Sequence, residues 1–118
     1  ESGLFDCIAH PDLVKKLGFV PSIDLTPYYE TVAKAMKKAD VAYEVSTAGL
    51  FKPVGEVYPS PEFISVMHSY CVPFVFSSDA HSPEQVGRQF EVSLETVRQV
   101  GYTEVALFDN RVRYSRPL

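Results

Sequence analysis

The feature that most constrains this chain is a helix-opening signal that recurs, each time followed by a strand-forming run. Thr26-Pro27, Ser60-Pro61-Glu62 and Ser82-Pro83-Glu84 each set a hydroxyl residue before a proline. Proline is preorganised for the first helical turn, and the hydroxyl before it can cap that turn. After Thr26, the residues Tyr29, Val32, Ala33 and Met36 share one helical face, which predicts a helix to about Ala39. After Ser60, the face is Phe63, Ile64, Met67 and Cys71. Ser82-Pro83-Glu84-Gln85 has the spacing of a capping box, and Phe90, Val92, Leu94 and Val97 carry the helical period on to Gly101. The β-branched and aromatic runs Val41 to Val45, Pro73 to Ser78 and Glu104 to Phe108 follow these helices. A further buried strand is expected over Leu4 to Ala9, stopped by His10-Pro11, before a short helix from Asp12 to Gly18.

Strands separated by helical segments indicate parallel neighbours, because parallel pairing needs a crossover connection. The expected class is α/β with about four β/α units: half of an eight-unit barrel, or an open sheet. At 118 residues and 46% hydrophobic, with no repeat or linker-like stretch, the chain reads as one organisational unit. The longest strongly apolar stretch, Cys71 to Phe76, is broken by Pro73 and falls far short of the ~20 residues of a membrane span. A net charge of −4 argues against a surface built on bulk phosphate neutralisation, so no nucleic-acid partner is expected. Cys7 and Cys71 are too far apart for a zinc-type pair and too few for a secreted disulfide scaffold. Free thiols and a cytoplasmic location are expected. The opening residues Glu1 to Phe5 hold neither an initiator Met nor a signal-peptide core, which suggests a start inside a longer protein.

Polar residues collect at the carboxyl ends of the expected strands: His10 after the first, Thr47 and Lys52 beyond the second, Asp79 and His81 after the third. That edge is where parallel α/β proteins bind ligands. Extended geometry would point Asp79 and His81 to one side, within reach of one divalent cation. In isolation, the pair reads more simply as a turn carboxylate and a solvent-facing imidazole. His68, on a helix away from any strand end, reads as surface or packing. Glu44 interrupts an apolar strand and requires a partner, a metal or a rim position; structural pairing and site function are equally open for it.

Four segments taken together resemble one family: Gly3-Leu4-Phe5-Asp6-Cys7-Ile8-Ala9-His10-Pro11-Asp12-Leu13, Glu44-Val45-Ser46-Thr47-Ala48-Gly49-Leu50, Val57-Tyr58-Pro59-Ser60 and Ser78-Asp79-Ala80-His81-Ser82. They look like the PHP (polymerase and histidinol phosphatase) family, on its histidinol-phosphatase branch, from Gly3 to Arg113. The resemblance implies the C-terminal portion of a distorted β/α barrel, with up to three divalent metals, Zn, Mn or Fe, at its carboxyl-end mouth. His10, Asp79 and His81 match the family's last three ligand positions. The earlier ligands, beginning with a His-x-His pair, have no counterpart in this chain. The family's Asn-Thr-Ala-Gly step with a following arginine is replaced by Ser46-Thr47-Ala48-Gly49-Leu50-Phe51-Lys52. Lys52 would then serve phosphate as a looser point charge than arginine's planar fork. Lys15, Lys16, Arg88 and Arg111 rank lower, since long charged side chains on helices are usually solvated.

The implied activity is hydrolysis of a phosphomonoester, histidinol phosphate first, by metal-activated hydroxide. A non-catalytic PHP-like fragment and a phosphodiesterase or nucleotide hydrolase are the alternatives. His10, Asp79 and His81 are expected to converge on one rim. Glu44 should lie in or beside the same mouth, and Lys52 should border the substrate phosphate. Alone, the chain is expected to be a poor phosphatase that binds metal weakly and associates with itself or with the absent front half.

Overall fold

The computed structural model describes residues 3–118. Its first sheet is parallel, in the order β1 (Cys7–Ile8), β2 (Ala42–Ser46), β3 (Phe74–Ser77). Cys7 stands opposite Ala42, and Tyr43 to Ser46 run opposite Phe74 to Ser77. Every residue of the central strand β2 is buried, as expected of a parallel strand covered on both faces. The helices α1 (Thr26–Ala39), α2 (Pro61–Ser69) and α3 (Phe90–Val100) lie where the sequence periodicity places them. Together with β2 and β3 they close a core of Ala33, Met36, Tyr43, Val45, Phe63, Ile64, Met67, Phe74 and Val97. Edge-on ring contacts run through it, Tyr29 to Phe63 at 5.0 Å and Phe74 to Tyr102 at 4.7 Å between centroids. The buried phenols satisfy one another: Tyr43 donates to Tyr102 Oη (3.2 Å), and Tyr102 donates to the Val72 carbonyl (2.7 Å). His68 stacks edge-on against Tyr102 at 4.8 Å, a packing role.

The α/β class holds, but among the described residues the strands do not close a barrel. The fourth expected strand is present as β4 (Glu104–Asp109), yet it pairs antiparallel with β5 (Val112–Pro117) in a separate two-stranded sheet. The sequence reading missed β5. Its turn puts Asn110 (φ 48°) and Arg111 (φ 66°) in the left-handed region, as a two-residue hairpin requires. The arginine at the second position hid that signal. Its guanidinium spans both Asp6 oxygens, at 2.9 and 3.1 Å, and so ties the hairpin to the approach of β1. This contact holds the Asp6 carboxyl below the usual carboxylate range.

Four further expectations are corrected. β1 is two residues long, and Leu4 and Phe5 before it are exposed. The Thr26 hydroxyl does not cap α1; the Asp24 carboxylate accepts the Thr26 N–H instead (2.9 Å). Likewise Ser82 makes no side-chain cap, although Ser60 does, accepting the Phe63 N–H at 3.2 Å. Cys71 leaves the apolar face of α2 for solvent, because the chain turns at positive φ just beyond the helix.

Candidate functional site at the carboxyl ends of the parallel strands

Three adjacent strands deliver one polar group each to the same region. Glu44, in the middle of β2, is only 7% exposed. One of its oxygens, Oε2, accepts the backbone N–H of His10 at 2.9 Å and lies 2.8 Å from Nδ1 of the same ring. Nδ1 is buried and has no well-directed hydrogen bond. The other ring nitrogen, Nε2, lies 4.0 Å from Asp79 Oδ2 at the end of β3. The buried carboxylate therefore has the partner its strand required, and the histidine sits between two carboxylates. The Glu44 charge also reaches Cys7: burial first, then Glu44, pushes that thiol up to about 11.

Both His10 (φ 51°) and Asp79 (φ 46°) hold left-handed backbone conformations. His and Asp tolerate that region better than most residues, and the surrounding contacts fix it. Ser77 Oγ accepts the Asp79 N–H at 3.0 Å, and Ser78 Oγ accepts the Gly87 N–H at 3.1 Å. His81 is exposed; its backbone N–H donates to Gln85 Oε1 (2.9 Å), which explains why Gln85 stands at the capping-box position without a Ser82 cap. Nδ1 of His81 lies 2.8 Å from the Asp79 carbonyl. A carbonyl only accepts, so Nδ1 is the donor in this contact and Nε2 points elsewhere.

Lys52 ends the tight turn Thr47–Phe51 that follows β2, and it is exposed. No contact joins its side chain to the His10 group among the described residues. A different cation is held nearer the strand ends. The Thr47 hydroxyl donates to the Arg88 carbonyl at 2.8 Å, while neighbouring Gly87 is bound to Ser78, so Arg88 is anchored to the ends of β2 and β3 together. Its guanidinium lies over the Phe51 ring at 3.7 Å, and its Nε is buried without a partner. Arg88 stands in the turn before α3 and not on a helix, and Phe51 gives its guanidinium an aromatic platform.

The donors at this rim suit a divalent cation in part. A 4.0 Å gap between His10 Nε2 and Asp79 Oδ2 is within the span of two ligands each about 2.1 Å from one ion. The carbonyl beside His81 Nδ1 and the carboxylate beside His10 Nδ1 match the supports that ligating histidines commonly have. Among the described residues, however, no three imidazole, thiol or carboxylate groups converge as a complete set.

No protein-family model matches the sequence. The chain is 41% identical over 102 residues, 86% of its length, to a Deinococcus radiodurans protein named probable histidinol-phosphatase. It spans 38% of the length of that relative. No helix of the described residues is long and apolar enough to cross a membrane.

Proposed function

We propose that the chain is the C-terminal portion of a PHP-family domain which, as a whole, is a metal-dependent phosphomonoesterase acting on histidinol phosphate. The observation that carries this reading is the meeting of His10, Glu44 and Asp79 from three adjacent parallel strands, with His10 Nε2 4.0 Å from Asp79 Oδ2. The partial likeness to a probable histidinol-phosphatase supports the choice of substrate. In this reading His10, Asp79 and His81 hold metal, and Glu44 fixes the His10 ring while bordering the substrate. Arg88 and Lys52 receive the phosphate. Zn, Mn or Fe held there would polarise a phosphoryl oxygen and make water acidic enough to attack at neutral pH. The remaining ligands come from outside these 118 residues.

The test uses the protein that carries this segment together with the sequence preceding it. His10→Ala, Asp79→Ala and His81→Ala should each lower bound metal and reduce histidinol-phosphate turnover by about 10–100-fold or more. Lys52→Ala and Arg88→Lys should raise KM while leaving metal content intact. Faster turnover of a nucleotide or phosphodiester would move the assignment to another phosphoester. A folded protein with neither metal nor turnover would make this a binding module.

A further inference from the structure

The turn that carries Arg88 is held by more of the fold than a surface arginine needs. Thr47 is wholly buried just beyond β2, and its hydroxyl donates to the Arg88 carbonyl at 2.8 Å. One residue earlier, the Gly87 N–H donates to Oγ of buried Ser78, just beyond β3, at 3.1 Å. The backbone on either side of Arg88 is left-handed, Gly87 at φ 72° and Gln89 at φ 57°. Glycine adopts that region freely, but glutamine does so at a cost, and Gln89 stands before α3 without a side-chain cap. The turn therefore depends on contacts from outside it, and the two strand-end hydroxyls supply them.

The side chain is fixed from a second direction. The guanidinium carbon lies 3.7 Å from the centroid of the Phe51 ring, which covers one face of the group. Phe51 is 47% exposed, so the ring adds little to the core, and what it does contribute is this stack. Burial of Nε leaves donation to the two terminal nitrogens, which no hydrogen bond or ion pair engages among the described residues. A guanidinium with a covered face and a free edge suits an oxyanion met edge-on. Valine could meet the packing at Thr47; what the hydroxyl adds is the bond to Arg88.

We propose that Thr47 and Ser78 are positioning residues: their hydroxyls clamp the turn around Arg88 so that the guanidinium, backed by Phe51, presents its edge to the phosphoryl oxygens of the substrate. The clamp binds the arginine to the same two strands that carry Glu44 and lead to Asp79. That the anion is a phosphoryl group rests on the phosphoesterase reading above; the clamp itself does not.

The experiment uses the protein that carries this segment together with the sequence preceding it, with isotope-labelled arginine for NMR. The Arg88 Nε–H signal, assigned by its loss in Arg88→Ala, should be shifted upfield by the Phe51 ring. Thr47→Val should move that signal toward the position of a solvated arginine. It should also raise KM for the phosphomonoester and Kd for inorganic phosphate about tenfold, with kcat and bound metal changed by less than about twofold. Thr47→Ser, which keeps the hydroxyl, should restore both. In an Arg88→Ala background, Thr47→Val should cost no further phosphate affinity. An Arg88 signal that Thr47→Val leaves in place, or an equal loss of affinity with and without Arg88, overturns the proposal. Should Thr47→Val fail to fold, Ser78→Ala, which removes only the Gly87 contact, is read in the same way. A parent that neither binds nor hydrolyses phosphate, while its Arg88 signal still responds to Thr47→Val, would overturn the phosphoester reading and sustain the clamp.

Discussion

Glu44 Oε2 accepts the backbone N–H of His10 at 2.9 Å while standing 2.8 Å from that residue's ring. A buried carboxylate on the central strand thus fixes both the left-handed backbone and the ring position of the residue that ends the neighbouring strand. The pairing joins fold stability to the candidate site, since the same contact that satisfies Glu44 aims His10 Nε2 toward Asp79.

Glu44→Ala should therefore lower unfolding free energy by about 1.5–3 kcal/mol, the usual scale for a hydrogen bond to a charged acceptor. Glu44→Gln retains an accepting oxygen and should cost less. Denaturant titration of the two variants checks the order; equal losses would mean that the His10 N–H contact contributes little.

Lys15 supplies a second prediction, from a residue whose burial the sequence hid. Its Nζ joins Asp12, Glu56 and the Val57 carbonyl. Lys15→Met keeps the aliphatic stem and removes the charge, leaving Asp12 buried without its cation. A loss of about 3–5 kcal/mol is expected on breaking such a pair from one side. Glu56→Gln should cost under about 1 kcal/mol, because Glu56 keeps 37% of its side chain in solvent and can rehydrate. Chemical denaturation of both variants measures the contrast.

These cases show what was legible in the sequence and why. α1, α2 and α3 were readable because apolar positions such as Ala33, Met36, Ile64, Met67 and Val97 recur at helical period, and Gly101 at φ 115° ends the last helix as a glycine should. β2 and β3 were readable from their β-branched and aromatic runs. The strand-end positions of His10 and Asp79 followed from those elements. What local pattern could not give was long-range pairing. Lys15 looks like a solvated surface residue until Glu56 and Val57 fold back over it, and Arg88 until Thr47 binds its carbonyl. β5 was missed because an arginine fills a turn position that usually signals itself with glycine.

Cys7 and Cys71 stand unpaired, the first half-buried and the second exposed. With its thiol pushed up to about 11 by burial and by Glu44, Cys7 carries about one hundredth of the thiolate of an ordinary cysteine at pH 8. Iodoacetamide at that pH should label Cys71 well before Cys7, as peptide mapping would show. The linkage runs the same way. A folded pKa raised above the unfolded value means that the native state keeps its proton longer, so stability falls as pH rises from about 9 to about 11. Cys7→Ser should remove that part of the alkaline decline. Faster labelling of Cys7 would contradict the burial argument.

The last prediction concerns the turn that follows β2. A Cβ placed at Gly49 would collide with the Glu56 carbonyl and come within 2.9 Å of the Tyr58 ring. Glycine is needed here for close approach, because the chain doubles back: Ser46 and Tyr58 exchange backbone hydrogen bonds at 2.6 and 2.9 Å across the turn. Gly49→Ala must push the Glu56–Tyr58 segment outward, and that segment also holds Lys15. Overpacking of this kind should cost about 1–3 kcal/mol. The nearest obstacle is backbone, so trimming the ring should not relieve it. In a double-mutant cycle, Gly49→Ala and Tyr58→Leu should show coupling no larger than about 0.5 kcal/mol. A large favourable coupling would place the clash on the Tyr58 ring instead of the Glu56 carbonyl, and the close approach of the two chain segments would no longer explain the glycine.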